Sequence, residues 1–253
     1  MFKGLIFYMI ITSKSNPIIK RVASLSDKKF RRQYGLYIVE GIKPVQECIA
    51  AGCEIDCIIC TEENDGLFSG ATVVSDGVFK SISSEKTPQG AIAVVKIPHT
   101  PLKPPKGCCL LLDCLQDPGN LGTVIRTANA AGFGEIYLIN CTDPYSPKAV
   151  RASMSGIFFV KIYSGSPDEI LNVLKGVPVI CADMDGTDIF GFVPPAKFCL
   201  CIGNEGGGIS ENIFQKAAHT VKIPMNATCE SLNAAVSAGI AMYTLKNNIN
   251  KEV

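Results

Sequence analysis

Histidine is scarce in this sequence. Its 253 residues include only His99 and His219. Neither has a serine or cysteine partner in a catalytic pattern, and no paired histidine or carboxylate spacing indicates a metal site. We therefore interpret both histidines as structural and expect no bound metal.

Long apolar runs are also absent, since none approaches the roughly 18 residues that span a bilayer. The N-terminal MFKGLIFYMII is faintly similar to a signal peptide, but no small-residue cleavage site follows it. We expect either translation from Met9 instead of Met1 or a short N-terminal strand. Twelve cysteines without a signal peptide indicate a reducing compartment. We therefore expect a cytoplasmic protein without membrane contact or structural disulfides.

One group of cysteines offers an alternative. Cys53, Cys57 and Cys60 match C-x3-C-x2-C, a spacing associated with the iron-sulfur clusters of radical enzymes that cleave S-adenosylmethionine. A cluster needs a loop that turns three thiolates inward, whereas EIDCIICTEE is strand-like and directs Cys57 and Cys60 to opposite sides. We favour a strand with small apolar thiols and keep the radical enzyme as an open alternative.

The charge is unevenly distributed. Residues 14–43 contain eight basic and two acidic residues, in a chain whose net charge is only +1. Such a patch can bind phosphates of a nucleic acid, with Tyr34 and Tyr37 available for stacking, or it can be the solvated face of a helix. Composition alone leaves both interpretations open.

A proline-rich segment, KIPHTPLKPPKG, divides the chain. We predict a domain over 1–97, a linker over 98–107 and a second domain over 108–253. For the first we expect a small α/β sandwich, with a basic helix (15–31), a helix (43–51) and strands at YIVE, DCIICT, TVVS and AIAVV. For the second we expect a parallel sheet covered by helices on both faces, with strands at 108–113, 135–140, 158–163, 177–182 and 197–202.

Three segments of the second domain follow strand-like runs and contain turn residues. They are DPGNLGTVIRTANAAG (117–132), IGNEGGGIS (202–210) and IPMNATCESLNAAVSAGIAMY (223–243). Ligands of parallel sheets bind at the carboxyl ends of strands, so these segments can converge on one pocket. Neither G-x-G-x-x-G nor a P-loop is present, which excludes the two common glycine-rich phosphate sites.

These segments resemble the three motifs of the SpoU/TrmH RNA 2′-O-ribose methyltransferases. The matches are N-L-G-x-x-x-R at 120–126, G-N-E-G-x-G at 203–208 and I-P-M…E-S-L-N-x-A at 223–235. SKSNPIIKRV, GLYIVEGIKPVQE and SEKTPQGAIAVV resemble the substrate-binding domain of that family. Together the resemblance covers residues 12–245.

The resemblance implies an α/β fold of two parts. The C-terminal part is a SPOUT domain, in which a parallel sheet carries a deep trefoil knot that binds S-adenosylmethionine. The N-terminal part is a smaller α/β RNA-binding domain, similar to ribosomal proteins. By motif matching, the cofactor contacts are Gly203, Ile223 and Leu232, with Met225 nearby. Family members are usually dimers, so a homodimer through the C-terminal domain is expected.

The resemblance also implies a catalytic set. The family's arginine matches Arg126 and is proposed to act on the 2′-hydroxyl, possibly as a base. A guanidinium pKa above about 12 favours a weaker role, in which Arg126 clamps phosphate and polarises the hydroxyl. The side chains expected to orient the ribose and Arg126 are Asn120, Glu205, Ser231 and Asn233.

The RNA contacts expected in the N-terminal domain are Lys14, Lys20, Arg21, Lys28, Lys29, Arg31 and Arg32. A substrate domain of this type favours large-subunit rRNA over tRNA. A tRNA 2′-O-methyltransferase, a catalytically silent RNA-binding module and an antibiotic-resistance role stay open as alternatives.

Overall fold

The computed structural model describes residues 10–249, so the expectations about Met1, Met9 and the N-terminal apolar stretch lie outside the described residues. The chain forms two compact units. The first runs to Pro98 and also includes Tyr145–Arg151, and the second comprises His99–Pro144 and the chain from Ala152 onward. No pattern in the sequence indicates that residues 145–151 join the first unit.

The first unit is a four-stranded sheet with helices. Its strands run in the order β1, β4, β2, β3, with β4 antiparallel to both neighbours and β2 parallel to β3. The strands are β1 (Leu36–Glu40), β2 (Ile55–Thr61), β3 (Thr72–Val74) and β4 (Ala91–Lys96). The helices are α1 (Pro17–Ser24), α2 (Lys28–Tyr34), α3 (Ile42–Ala50) and α4 (Asp76–Ile82), and Glu62–Asn64 form a 3-10 turn.

The single basic helix predicted over 15–31 is wrong, because the segment forms two helices. Asn16 caps α1 by accepting the Ile18 amide at 2.9 Å, and Asp27 caps α2 by accepting the Lys29 amide at 2.8 Å. Ile19, Val22 and Leu25 are buried in the core of this unit, so the chain turns where α1 has completed its apolar face.

Helix α4 was also not predicted. Val78, Phe79 and Ile82 bury its apolar face in the same core. The segment DGVFKSI contains a glycine and lasts only two turns, too short for a helical period to emerge from the sequence.

The second unit contains the parallel sheet that the sequence predicted, with six strands. Its strand order is β10, β8, β9, β5, β6, β7, and every pairing is parallel. The strands are β5 (Cys109–Asp113), β6 (Glu135–Ile139), β7 (Lys161–Ser164), β8 (Val179–Asp188), β9 (Cys199–Ile202) and β10 (His219–Lys222). The helices are α5 (Pro118–Ala131), α6 (Pro147–Ala152), α7 (Pro167–Val173), α8 (Glu211–Phe214) and α9 (Ala234–Asn248), of which α6 lies almost wholly in the first unit's part of the chain.

Two strand boundaries differ from the prediction. The run expected at 158–163 becomes a strand only from Lys161, because Gly156–Phe158 form a 3-10 turn. Strand β8 extends to Asp188, six residues beyond the apolar run that predicted it. Residues outside the apolar run join β8 because β10 pairs with its far end.

The strand order places a topological switch between β5 and β9. From β5 the sheet continues through β6 and β7 on one side, and through β9, β8 and β10 on the other. The connections that leave adjacent strands at such a point diverge and open a crevice at their carboxyl ends. The segments after β5 and β9, which contain two of the three motifs, border this crevice.

Six of the twelve cysteines are buried in the apolar core, whereas Cys229 is exposed. Cys109 pairs in register with Cys199, and Cys181 with Cys201. All twelve cysteines are free, and burial raises the pKa of the Cys199 thiol well above its usual value. Such thiols stay protonated near neutral pH and pack as small apolar side chains.

The iron-sulfur alternative finds no site in the described structure. Residues 10–249 contain no group of three histidine, cysteine or carboxylate side chains placed to hold a metal ion. Cys57 packs against the hydrophobic core that includes Ile59. Cys60, the residue after Ile59 in β2, is buried. Across the same range, no helix has the length and apolar character needed to cross a membrane.

Candidate active site

The glycine-rich loop after β9 is held at both ends by the end of β5. Asn204 Nδ2 donates to the Cys114 carbonyl at 2.7 Å, and the Ser210 amide donates to Asp113 Oδ2 at 2.7 Å. Asp113 is fully buried, so this carboxylate is a fixed anchor. The two contacts set the position of residues 204–210 against the central strand of the sheet.

Within the loop, Asn204 makes hydrogen bonds through both its backbone and its side chain. Its amide and carbonyl pair with the carbonyl and amide of Gly208 at 2.9 and 3.0 Å. Its side-chain Oδ1 accepts the amides of Gly206 and Gly207 at 2.8 and 3.1 Å. One residue therefore orders the three glycines of this turn.

Two glycines of this loop cannot be replaced without strain. A Cβ on Gly203 would overlap the carbonyl group of Gly208 and lie 2.5 Å from the Ile209 amide nitrogen. Gly208 has a φ of +66°, which favours glycine. The backbone of Gly203 is therefore packed directly against the backbone of Gly208 and Ile209.

A chain of hydrogen bonds joins the three motifs. Asn233 Nδ2 donates to Asn120 Oδ1 at 3.0 Å across 113 residues, and Asn120 Nδ2 donates to Glu205 Oε1 at 2.7 Å across 85 residues. Asn233 Oδ1 also accepts the Ala235 amide at 2.9 Å and so caps α9. The Asp117 side chain fixes the backbone of Asn120 by accepting its amide at 2.8 Å. Three of the five predicted catalytic residues are thus brought together.

A cavity of about 280 Å³ lies beside this chain. It is lined by Ala182, Asp183, Met184, Ile202, Gly203, Asn204, Glu205, Gly206, Gly208, Val221, Ile223, Met225, Ser231, Leu232, Ala234 and Ser237. All four predicted cofactor contacts, Gly203, Ile223, Met225 and Leu232, line it, as do Glu205 and Ser231. Its walls combine apolar side chains with glycine backbone and two carboxylates, and no described lining residue is basic.

Sequence reasoning missed the wall that β8 contributes. Ala182, Asp183 and Met184 line the cavity, although none belongs to a motif that the sequence singled out. The available signal was indirect. The apolar run at 177–182 ends there, and the carboxyl end of a strand that neighbours β9 must reach the same edge of the sheet.

Arg126 stands apart from the hydrogen-bonded chain. It lies on α5, its side chain is exposed, and within residues 10–249 it makes neither a hydrogen bond nor an ion pair. Its backbone is closely covered, since a Cβ on Gly156 would lie 3.0 Å from the Arg126 Cα. Arg126 does not line the cavity. The helix is therefore fixed while the guanidinium is available to a ligand.

Two thiols that follow β5 and β6 are poor nucleophiles. Burial raises the pKa of the Cys114 thiol, and burial raises the pKa of Cys141 to about 12. Thiols with raised pKa values are almost wholly protonated near neutral pH. A third thiol, Cys229, is exposed and donates to the Ser231 carbonyl at 3.3 Å.

The basic face of the first unit differs from the prediction at one position. Lys14, Lys20, Lys28, Lys29 and Arg32 are exposed, and Arg21 pairs with Asp56 at 2.5 Å. Arg31, in contrast, is only 3% exposed and donates to the Leu25 and Ser26 carbonyls at 2.8 Å each. Its charge closes the turn between α1 and α2, so the expected RNA contact by Arg31 is wrong.

Tyr37, one of the two rings that the sequence offered for stacking, is not available for it, because it is buried and packs against Tyr145 with ring centroids 5.0 Å apart. Tyr34 is 42% exposed and stacks with Phe30 at 6.1 Å. Tyr34 is therefore the aromatic ring that this basic face presents to solvent.

Comparison with known families matches both halves of the chain. Residues 107–243 match the SpoU rRNA Methylase family, and residues 16–93 match the MRM3-like substrate binding domain. The two matches lie on either side of the proline-rich segment and include all three motifs.

Relatives and solved structures resemble the chain over nearly its whole length. It is 30% identical to the 23S rRNA (guanosine(2553)-2′-O)-methyltransferase RlmP of Bacillus subtilis, over 93% of this chain and 98% of that protein. It is 27% identical to the 23S rRNA (uridine(2479)-2′-O)-methyltransferase of Streptomyces viridochromogenes, over 92% of this chain and 90% of that protein. The crystal structure of an AdoMet-bound rRNA methyltransferase from Sinorhizobium meliloti superimposes with a TM-score of 0.86, at 28% identity, over 95% of this chain and 98% of that one.

Proposed function

Because the chain belongs to the SpoU rRNA methylase family, we propose that it methylates a ribose 2′-hydroxyl of large-subunit rRNA with S-adenosylmethionine as the donor. The observation that carries this proposal is the hydrogen-bonded chain Asn233, Asn120, Glu205, which unites the three motifs beside a cavity with glycine and apolar walls. An rRNA substrate also implies a cytoplasmic reaction.

The cavity suits the cofactor in size and in chemistry. Its volume of about 280 Å³ is just below the range of about 300–1,000 Å³ that is usual for ligand sites, so the cofactor would have to bind in a compact conformation. The packing of Gly203 against Gly208 supports binding through backbone atoms, and the side chains of Ile223, Met225 and Leu232 offer apolar surface for an adenine ring. When bound, the cofactor supplies a methyl group activated by a sulfonium.

The protein's own residues act on the acceptor. Methyl transfer to oxygen is an in-line displacement, so the hydroxyl must be aligned and must lose its proton. Four side chains orient the ribose: Asn120, Glu205, Ser231 and Asn233. Each of them is hydrogen-bonded to another of the four or lines the cavity. Arg126 clamps a phosphate and polarises the hydroxyl, because a fork of five donors suits that task better than proton abstraction.

The deep trefoil knot of SPOUT domains belongs to this proposal. One close backbone approach supports it. A Cβ on Gly186 of β8 would lie 2.5 Å from the amide nitrogen of Val221 in β10. A threaded chain would hold these two segments in such contact.

A homodimer through the C-terminal unit is also proposed. Val236 and Tyr243 are 50% and 53% exposed and lie seven residues apart on one face of α9. An apolar face on a helix that follows a motif is suited to a second copy. A monomer in sedimentation equilibrium at assay concentration would contradict this part of the proposal.

The two parts of the chain then have separate tasks. Residues 1–97 select RNA, residues 98–107 connect, and residues 108–253 carry out the transfer. The basic residues that select RNA are Lys14, Lys20, Arg21, Lys28, Lys29 and Arg32. Ribose-methylation mapping in total RNA, from cells with and without this gene, tests the substrate. Loss of one methylation in large-subunit rRNA is expected, and a change confined to tRNA would contradict the rRNA assignment.

Arg126→Lys tests the role of the guanidinium. Lysine keeps the charge but loses the bidentate fork, so we expect the methylation rate to fall by roughly tenfold to a hundredfold. The affinity for S-adenosylmethionine, measured by calorimetry, should not change. Asn129→Gln, one turn further along α5, is the matched control and should leave both quantities unchanged. A wild-type methylation rate in Arg126→Lys would show that Arg126 has no such role.

A further inference from the structure

Strand β8 contains a large bulge at the level of the cavity. Cys181 pairs with Thr220 of β10, and the next registered pair is Thr187 with Val221. Residues 182–186 of β8 therefore have no counterpart on β10. Bulges next to active sites commonly redirect a side chain toward a ligand.

The bulge is held against β10 at its end. Gly186 lies so close to Val221 that a Cβ there would be 2.5 Å from the Val221 amide nitrogen and carbonyl carbon. Any larger residue would push the bulge away from β10. The position of residues 182–186 is therefore fixed by backbone packing.

The side chain that this bulge contributes to the cavity is a carboxylate, Asp183. Its Oδ1 accepts the Asp185 amide at 3.1 Å, and within residues 10–249 its Oδ2 accepts no hydrogen bond. Glu205, the other carboxylate of the cavity, accepts from Asn120 through Oε1 at 2.7 Å. Asp183 therefore retains an acceptor oxygen for a ligand.

The neighbouring strand identifies what such an oxygen would bind. The last registered pair of β8 and β9 is Cys181 with Cys201. Asp183 and Gly203 each lie two residues beyond this pair on their own strands. A carboxylate at the end of one parallel strand, beside a glycine-rich loop that ends the next, is the arrangement that recognises ribose hydroxyls in dinucleotide sites. We propose that Asp183 accepts hydrogen bonds from the ribose hydroxyls of the cofactor's adenosine. This inference rests on the proposed function and adds a binding residue to its cofactor site.

The experiment measures binding to the full-length protein. Asp183→Ala is compared with Asp185→Ala, which changes the neighbouring exposed carboxylate of the same bulge. Calorimetry with S-adenosylmethionine and S-adenosylhomocysteine should show that Asp183→Ala weakens both by about tenfold or more, since both contain the same ribose and a hydrogen bond to a charged group is removed. Asp185→Ala should bind both like wild type.

Deoxy ligands make the test specific for the hydroxyls. Wild type should bind adenosine about tenfold more tightly than at least one of 2′-deoxyadenosine and 3′-deoxyadenosine. Asp183→Ala should bind adenosine and both deoxy compounds with equal affinity. The wild-type comparison needs no variant, so indifference to both deoxy changes overturns the inference even if Asp183→Ala fails to fold.

Two results would overturn the inference. One is a wild-type protein indifferent to both deoxy changes. The other is a variant that loses affinity for S-adenosylmethionine but not for S-adenosylhomocysteine, because Asp183 would then act as a counter-charge to the sulfonium. Failure of the proposed function is distinguishable from either, since wild type would then bind neither S-adenosylmethionine nor S-adenosylhomocysteine.

Discussion

At the scale of single residues, the asparagines organise this site more than its charged side chains do. Asn204 orders the glycine-rich loop, Asn233 caps α9, and Asn120 links Asn233 to Glu205. An amide can donate and accept at once, which lets one residue join two partners of different kinds. A carboxylate or an ammonium group in the same place could not complete such a chain.

Asn120 gives the sharpest prediction at this scale. Asn120→Asp should be less active than Asn120→Ala, because it places a second carboxylate within hydrogen-bond distance of Glu205, and like charges repel. Methylation rates of the two variants at neutral pH test the order.

The pH dependence of Asn120→Asp provides the control. Repulsion raises the pKa of one carboxyl of such a pair, so its protonation as the pH falls toward about 5 should restore a donor and reduce the defect of Asn120→Asp. The Asn120→Ala variant has no such group and should show no recovery. Equal activities of the two variants at every pH would mean that a carboxylate at position 120 does not repel Glu205.

At the scale of elements, the end of β5 acts as the anchor for the glycine-rich loop. Asp113 is fully buried and its Oδ2 accepts the Ser210 amide, while its Oδ1 has no hydrogen-bond partner within residues 10–249. Burial of the Asp113 carboxylate away from water costs free energy, and the hydrogen bond from the Ser210 amide compensates for that cost.

Replacement of Asp113 separates the anchor from the charge. Asp113→Ala leaves the Ser210 amide without its acceptor, so we expect a loss of about 1–3 kcal/mol in unfolding free energy and weaker binding of S-adenosylmethionine. Asp113→Asn keeps an acceptor and should bind the cofactor within a few-fold of wild type. Denaturant unfolding and calorimetry measure the two effects, and equal defects in both variants would show that the charge, not the hydrogen bond, matters.

At the scale of the whole molecule, binding of RNA and binding of the cofactor should be separable. Replacement of Lys14, Lys20, Lys28 and Lys29 by glutamine removes four exposed charges from the first unit. We expect weaker RNA binding and a shallower dependence of affinity on salt, by about 0.7–0.9 in slope for each phosphate that the variant no longer neutralises. Affinity for S-adenosylmethionine should not change, and a parallel loss of both would contradict two separate tasks.

Arg31→Ala is the contrast within the same unit. It removes a charge that is buried and bonded to two carbonyls, so it should lower the melting temperature while leaving the salt slope of RNA binding near that of wild type. A change in that slope, without loss of stability, would return Arg31 to the RNA-binding set.

The family and the parallel sheet could be predicted from the sequence, and both are confirmed. Motif matching also selected residues that line one cavity, although their cofactor contacts stay a prediction. The errors have a common origin. Arg31, Tyr37 and the break between α1 and α2 depend on which side of a helix or strand meets the core, and a charged or aromatic residue gives little indication of that from its type alone.

The sequence by itself determined the family, the order of the motifs and the alternation of strands and helices, because apolar periodicity and turn residues act over a few neighbouring positions. Only the tertiary structure decided that Asn233, Asn120 and Glu205 form one chain, that the bulge of β8 brings Asp183 to the cavity and that Arg31 is buried. Most of these contacts join residues far apart in the chain, and strand order and backbone packing fix them, which no local pattern records.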